Sequence, residues 1–422
     1  MNAAPASRPF RRRVFYIPGF DPFPARRYRE IYRAEGAKQA ALSGYALRLG
    51  SRDPAAPGYG WTVESRTADQ DAEAEIEVLI WDDIVKARMA PGLIGIYWTM
   101  LHTIWVYFST RATWGLIRVR IGPFIAGFYP VTILLATAAL ALGLGWAVLT
   151  GAQWLLGPGL PGLVPGIVLG LATAWGVMEA GRRADRWLFA RYLMFELAQS
   201  AIHRGGFGAD LEARLDAFAA RIAAARQQDW DEVLVVGHSS GAALAVSVVA
   251  RSLRASPGGA ALGLLTLGHV IPLHSFLPEA RGLRRDLHDL SLSEDLTWID
   301  VSAPGDGGSF GLADPVAISG VRPEGARWPR IISAAFRRTL APATFRRLRW
   351  RFYSLHFQYL RAFDGPARGP DDYDYFQITA GPRSLSDRFA ARGDSPQTIR
   401  RVFSPHRDMV TGMTTGGAGD PA

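Results

Sequence analysis

The stretch Val233-Leu-Val-Val-Gly237-His238-Ser239-Ser240-Gly241 constrains the fold of this 422-residue chain more than any other. Its four apolar residues predict a buried strand, and Ala242 to Val246 open a helix. A Gly-x-Ser-x-Gly turn joins the two. So tight a bend leaves no room for a Cβ at Gly237 or Gly241. It lifts Ser239 to the tip and aims the Ser240 N–H at the place where an oxyanion would form. A strand that enters a helix through such a turn predicts an α/β fold.

The rest of the chain is organised around two long uncharged runs. Ile121 to Thr150 holds no charged side chain, and Trp154 to Met178 is a second such run, interrupted by Pro158, Pro161 and Pro165. Each exceeds the roughly twenty residues that cross a bilayer. They predict a helical hairpin with spans at about 121–150 and 154–178 and a loop at Gly151-Ala-Gln153. Arg111, Arg118 and Arg120 flank it on one side, and Arg182, Arg183 and Arg186 on the other. That arrangement predicts cytoplasmic ends, a two-span protein of a bacterial-type inner membrane, and a cytoplasmic catalytic domain. A greasy cap packed on a soluble enzyme is the alternative. Strands before and after the hairpin must share one sheet, so the number of crossings between them is even. Leu93 to Phe108 is therefore read as an interfacial or core helix rather than a third span.

Charge and composition narrow the partners. The net charge is +9, and Lys38 and Lys86 are the only lysines among 47 basic residues. This balance favours anionic surfaces, and with no nucleic-acid motif present it points to the lipid bilayer. With no cysteine, disulfides and thiolate metal sites are excluded. Arg11-Arg-Arg13 precedes too short an apolar run for a secretory signal.

Along the chain, residues 1–10 read as a flexible arm and 11–90 as the first part of the main domain. Residues 91–183 are the helical insertion, 184–410 the second part of the domain, and 411–422 a disordered tail. Within them, Val14 to Ile17 predicts a strand, Pro24 to Leu42 a helix, and residues 43–75 a hairpin or irregular excursion. Further strands are predicted at Glu75 to Trp81, Leu262 to Leu267 and Leu296 to Ser302, with the last at Tyr373 to Thr379. Arg337 to Leu360 reads as an Arg-rich amphipathic helix. Asp82-Asp83 reads as a strand end or helix cap, not a metal pair.

A serine hydroxyl needs a base within hydrogen-bond reach, and the base needs an anion to orient it. In the strand–turn–helix plan these follow in the order Ser, acid, His. Five histidines come after Ser239: His269, His274, His288, His356 and His406. His406, in a loop after the last predicted strand, is the candidate base. His356, inside the amphipathic stretch, is the alternative. Asp306 is the candidate acid because it follows a predicted strand through a Pro-Gly turn. Asp314 is the alternative, and Asp300 lies too deep in its strand. The N–H groups of Phe20, after Pro18-Gly19, and of Ser240 would form the oxyanion hole. His238 points away from the serine on such a turn.

These features resemble the α/β-hydrolase superfamily, its lipase and esterase-like members in particular, and uncharacterised bacterial membrane-associated hydrolases within it. The likeness rests on Gly-His-Ser-Ser-Gly, the Pro-Gly-Phe loop, the aspartate after a Trp-containing strand and the late histidine. It departs in two ways. The large insertion precedes the elbow, and Pro18-Gly19 stands where a His-Gly is usual. The resemblance implies a mostly parallel central sheet flanked by helices, here with the inserted hairpin. It implies a serine hydrolase cleaving an ester or thioester, acyl lipids included, through an acyl-enzyme on Ser239, with no cofactor and no metal. A catalytically silent membrane scaffold, or an acyltransferase using the same triad, fits the same residues.

Overall fold

A computed structural model describes residues 8–68, 70–365 and 373–410. Residues 1–7 of the expected arm and the expected tail at 411–422 lie outside the described residues.

The core is one eight-stranded sheet. Its strands in chain order are β1 (Phe10–Ile17), β2 (Ala46–Ser51), β3 (Tyr59–Arg66), β4 (Asp71–Val78), β5 (Glu232–His238), β6 (Ala261–Leu267), β7 (Leu296–Ser302) and β8 (Arg330–Ser333). In space they run β2-β3-β4-β1-β5-β6-β7-β8. The sheet is mixed, not mostly parallel as expected. The β2–β3 and β3–β4 pairings are antiparallel, whereas β4–β1 and every pairing from β1 to β8 are parallel. The reason lies in residues 43–75, where short turns between alternating strands permit only antiparallel neighbours.

Helix α1 (Arg26–Ser43) follows β1. The connection from β4 to β5 holds α2 (Asp82–Met89), α3 (Leu93–Ser109), α4 (Ala112–Val119), α5 (Ile121–Leu156), α6 (Leu160–Leu188), α7 (Ala190–Ile202) and α8 (Ala209–Arg226). Helix α9 (Gly241–Ala255) leads from β5 to β6, α10 (Pro272–Ser275) and α11 (Arg281–Leu292) from β6 to β7, and α12 (Pro315–Ile318) from β7 to β8. After β8 come α13 (Phe336–Thr339), α14 (Pro342–Leu348), α15 (Phe352–His356), a 3₁₀ turn (Phe357–Leu360), α16 (Tyr375–Ala380) and α17 (Leu385–Phe389).

Strand alternation divides the core between two faces. Val233 and Val235 pack with α7, α8, α9 and α11, while Leu234 and Val236 pack with α1, α15 and α16. All seven residues of β5 are buried. From the central β1/β5 pair the chain leaves in opposite directions, β1 through α1 to β2 on the β4 side of the sheet and β5 through α9 to β6 on the other. The crevice outside the carboxyl ends of such a diverging pair is where α/β sheets place ligands.

Helices α5 and α6 are long and apolar enough to span a membrane, and only 17% of the apolar window of each is buried. The hairpin turn differs from expectation. Ala152 to Leu156 continue α5, and the chain reverses at Gly157-Pro158-Gly159 instead of residues 151–153. Only there do glycines at positive φ release the helix. The two helices cross tightly at glycines: a Cβ on Gly170 would sit 2.7 Å from the Gly145 carbonyl oxygen.

Two more expectations fail after β7. The last strand is Arg330–Ser333, whereas Tyr373 to Thr379 forms no strand; Asp374 caps helix α16 there, accepting from the Phe376 and Gln377 amides. The Arg-rich stretch from Arg337 is not one helix. It breaks into α13, α14, α15 and the 3₁₀ turn; the first break falls at Pro342, which lacks the N–H that a continuous helix needs and starts α14 instead.

Candidate active site

The elbow has the geometry its sequence demands. Ser239 sits at φ +58°, a left-handed conformation that costs a non-glycine residue about 1–3 kcal/mol and persists only when its surroundings impose it. The neighbours do impose it. A Cβ on Gly241 would lie 2.4 Å from the Ile17 carbonyl oxygen, and one on Gly237 would lie 2.6 Å from the Ala245 Cβ. The Ser239 N–H donates to the Leu267 carbonyl at 2.9 Å, tying the turn to the end of β6. Ser240 N-caps α9, and the Ala242 and Ala243 amides donate back to the Ser239 and Ser240 carbonyls at 3.1 and 3.2 Å.

The candidate acid Asp306 lies in the loop after β7 and is paired, but not with His406. Asp306 Oδ2 accepts from His356 Nδ1 at 2.8 Å and from the Tyr359 hydroxyl at 2.9 Å, and Asp306 Oδ1 accepts from the Gly308 N–H at 2.9 Å. Burial opposes ionisation of Asp306, but His356 and the Gly308 amide outweigh it and hold the carboxyl below its ordinary value. Burial likewise opposes charge on His356. The Asp306 carboxylate, with help from Glu196, outweighs it and raises the imidazole above its ordinary value. The ring is 12% exposed and turns its other nitrogen, Nε2, away from Asp306.

His356 is fixed beside the elbow through its own backbone. Its carbonyl accepts from His238 Nε2 at 3.1 Å, and the two imidazoles lie 5.0 Å apart. A carbonyl only accepts, so His238 Nε2 carries the proton. Burial first, and then the charge of His356, push His238 down to about 3, which keeps it neutral. His238 thus anchors the segment that carries His356, a role that the sequence reading does not give it.

His406 is placed elsewhere. Its Nε2 meets the Thr110 carbonyl at 3.1 Å, pinning the C-terminal segment to the end of α3. The expectation of His406 as partner of Asp306 is corrected to His356. The physical reason is that β8, only four residues long, carries no periodicity in the sequence, while Tyr373 to Thr379, whose apolar residues predict the last strand, folds into α16. His356 does follow the true last strand. Asp314 is also committed elsewhere. It caps α12 through the Val316 and Ala317 amides and binds Arg322 and Arg400 at 2.8 and 3.3 Å. Asp300 stays within β7, bonded to Thr266 Oγ1 at 2.6 Å.

The Pro18-Gly19-Phe20 loop reaches the elbow, and a Cβ on Gly19 would stand 3.1 Å from that of Ser239. The Phe20 N–H is not open, however. It donates to Ser240 Oγ at 2.8 Å, and that hydroxyl faces Glu196 Oε1 at 3.4 Å. The expected pairing of two free amides is thereby corrected: one of them is occupied by the side chain beside the nucleophile position. Glu196 lies on α7, where sequence offered no signal, and burial pushes its carboxyl up to about 7. Tyr359 and Gly308 were missed for the same reason, since only the folded chain brings them to Asp306. Asp82 and Asp83 begin α2 and bind Lys86 and Arg214 at 2.6 and 2.8 Å. Among the described residues no three His, Cys, Asp or Glu side chains gather as a metal site.

No protein-family model, curated protein or solved structure matches this chain.

Proposed function

We propose that this chain is a membrane-anchored serine hydrolase of the α/β-hydrolase type, acting on an ester or thioester. The observation that carries the reading is the 2.8 Å bond between Asp306 and His356, whose carbonyl is bonded to His238, the residue before a serine held at positive φ. The chain order of Ser239 after β5, Asp306 after β7 and His356 after β8 supports it.

In the proposed reaction Ser239 Oγ attacks the acyl carbon while His356 Nε2 takes the hydroxyl proton. Asp306 holds the other ring nitrogen and stabilises the imidazolium. The tetrahedral oxyanion is met by the Ser240 N–H and by the Phe20 N–H once Ser240 Oγ rotates aside. Collapse breaks the bond to the leaving oxygen or sulfur, which receives the proton from His356. Water, deprotonated by His356, then attacks the acyl-enzyme, and the acid leaves as the Ser239 hydroxyl is restored.

The anchor in this reading is the α5–α6 hairpin, with both ends and the catalytic unit on the cytoplasmic side, after the arginines at both lower ends. A fluorophosphonate with mass-spectrometric site mapping tests the enzyme. Adduct on Ser239, lost in Ser239→Ala, is the expected result. One observation favours the silent-scaffold reading, namely the Phe20 N–H already occupied by Ser240 Oγ. A folded wild type that resists the probe while Ser240→Ala accepts it would establish that alternative.

A further inference from the structure

Helix α3 has two apolar faces where a soluble helix has one. Ile96, Met100, Val106 and Tyr107 are buried in the core. Ile94, Trp98, Leu101, Trp105 and Phe108, spaced four and three residues apart on the opposite face, are 45 to 84% exposed. A continuous stripe of this size on a water-exposed surface marks an interaction site.

The position of the stripe identifies its occupant. At 36 residues, α5 is about 54 Å long, about 24 Å more than a hydrocarbon layer of about 30 Å requires. The lower half of α5 runs beside α3: the Tyr97 hydroxyl donates to the Leu134 carbonyl at 3.0 Å, and the Phe108 and Phe128 rings lie 6.1 Å apart. That half ends on the acid loop. A Cβ on Gly122 would lie 3.5 Å from the Gly307 Cα, and Arg120 Nε donates to the Gly311 carbonyl at 2.9 Å. The lower end of α6 closes the opposite side. Phe189 stacks on Tyr353, three residues before His356, at 5.8 Å and 7°. Between these two contacts lies an apolar side chain, Phe352, exposed and packed against Gly307. The segment before it is basic: Arg346, Arg347, Arg349 and Arg351 are all exposed, a complement to anionic headgroups.

We infer that the outer stripe of α3 is immersed in the leaflet on the catalytic side, and that an acyl lipid of that leaflet enters the Asp306–His356 site laterally, between the lower ends of α5 and α6. The lipid substrate rests on the hydrolase reading above; the seating of α3 does not. The physical logic is one of transfer. A lipid that never leaves its leaflet pays no cost of exposing its acyl chains to water, and a catalytic unit seated on the stripe brings the site to headgroup level.

The test uses the full chain in vesicles of phosphatidylethanolamine and phosphatidylglycerol. Because the chain has no cysteine, Trp98→Cys and Trp105→Cys each take a single nitroxide. Relaxation by oxygen stronger than by a water-soluble nickel complex is expected at both. Stronger relaxation by nickel, or dipolar broadening from a second labelled copy, would overturn the seating. Two phosphonates then test the route, one short and water-soluble, the other carried on a diacyl lipid in the vesicle. In Trp98→Asp/Trp105→Asp the lipid-borne probe is expected to label Ser239 at least tenfold more slowly, with the soluble probe within twofold of wild type. Equal rates for the lipid-borne probe in variant and wild type overturn lateral entry alone. A wild type that neither probe labels overturns the hydrolase reading, and lateral entry with it.

Discussion

Asp306 and His356, fifty residues apart in sequence, meet through a 2.8 Å bond between a fully buried carboxylate and a ring that is nearly so. The Tyr359 hydroxyl and the Gly308 amide complete the carboxylate's donors. An aspartate so fully satisfied is oriented rather than merely buried. Removing its partner would leave an uncompensated buried charge, so the two residues act as one unit.

Exchange of the histidines separates the site from its sequence-level rival. His356→Ala should slow fluorophosphonate labelling of Ser239 by about 10⁴-fold or more, as expected for loss of a general base. His406→Ala should leave the rate within about twofold, because its ring contacts Thr110 and not Asp306. The reverse pattern in a labelling time course would reinstate His406.

The pH dependence follows from the direction of the His356 shift. In the proposed reaction His356 acts as the neutral ring, which protonates as pH falls through its pKa. Asp306 and Glu196 outweigh burial and raise that pKa, so the acid limb of the rate profile should lie above about 6.5, the ordinary histidine value. Glu196→Gln removes the smaller of the two contributions, from a carboxyl itself pushed up to about 7, and should move the limb slightly downward. A limb that stays in place would show that Glu196 does not act on the imidazole.

Asp306→Asn keeps the shape of the acid but removes its charge and favours the wrong ring tautomer. The labelling rate should fall by about 10⁴-fold, and the denaturation midpoint should also fall, because an amide's single oxygen cannot accept from His356, Tyr359 and Gly308 together. A variant labelled at the wild-type rate would remove Asp306 from the reaction.

Tyr359→Phe removes a donor to Asp306 and an acceptor for the Ala303 N–H, which it meets at 3.0 Å. Both partners are buried, so the change should cost about 1–3 kcal/mol, read as a lowered denaturation midpoint. An unchanged midpoint would mean that water replaces the hydroxyl.

Gly241→Ala tests the elbow itself. The added Cβ meets backbone, the Ile17 carbonyl, and cannot be relieved by turning a side chain. A loss of about 1–3 kcal/mol is expected, with slower labelling as Ser239 shifts from β1. A stable, fully reactive variant would mean that the strand and helix separate more easily than the geometry implies.

How much was legible depended on the range of the interaction. The elbow was readable because four apolar residues, two glycines and a run of small side chains within fifteen positions leave the backbone one conformation. The span-length helices were readable from the absence of charge, and Asp306 from the Pro-Gly turn after β7. These are local or compositional signals, and the chain carries them without reference to its fold. The partner of Asp306, the antiparallel turn of the sheet at β2 and β3, the capture of the Phe20 amide by Ser240 and the approach of Glu196 were decided only by tertiary structure. Each joins segments remote in sequence, through strand pairing and core packing. A four-residue strand such as β8 has no periodicity long enough to declare itself, and so His356 could be recognised only where the folded chain delivers it.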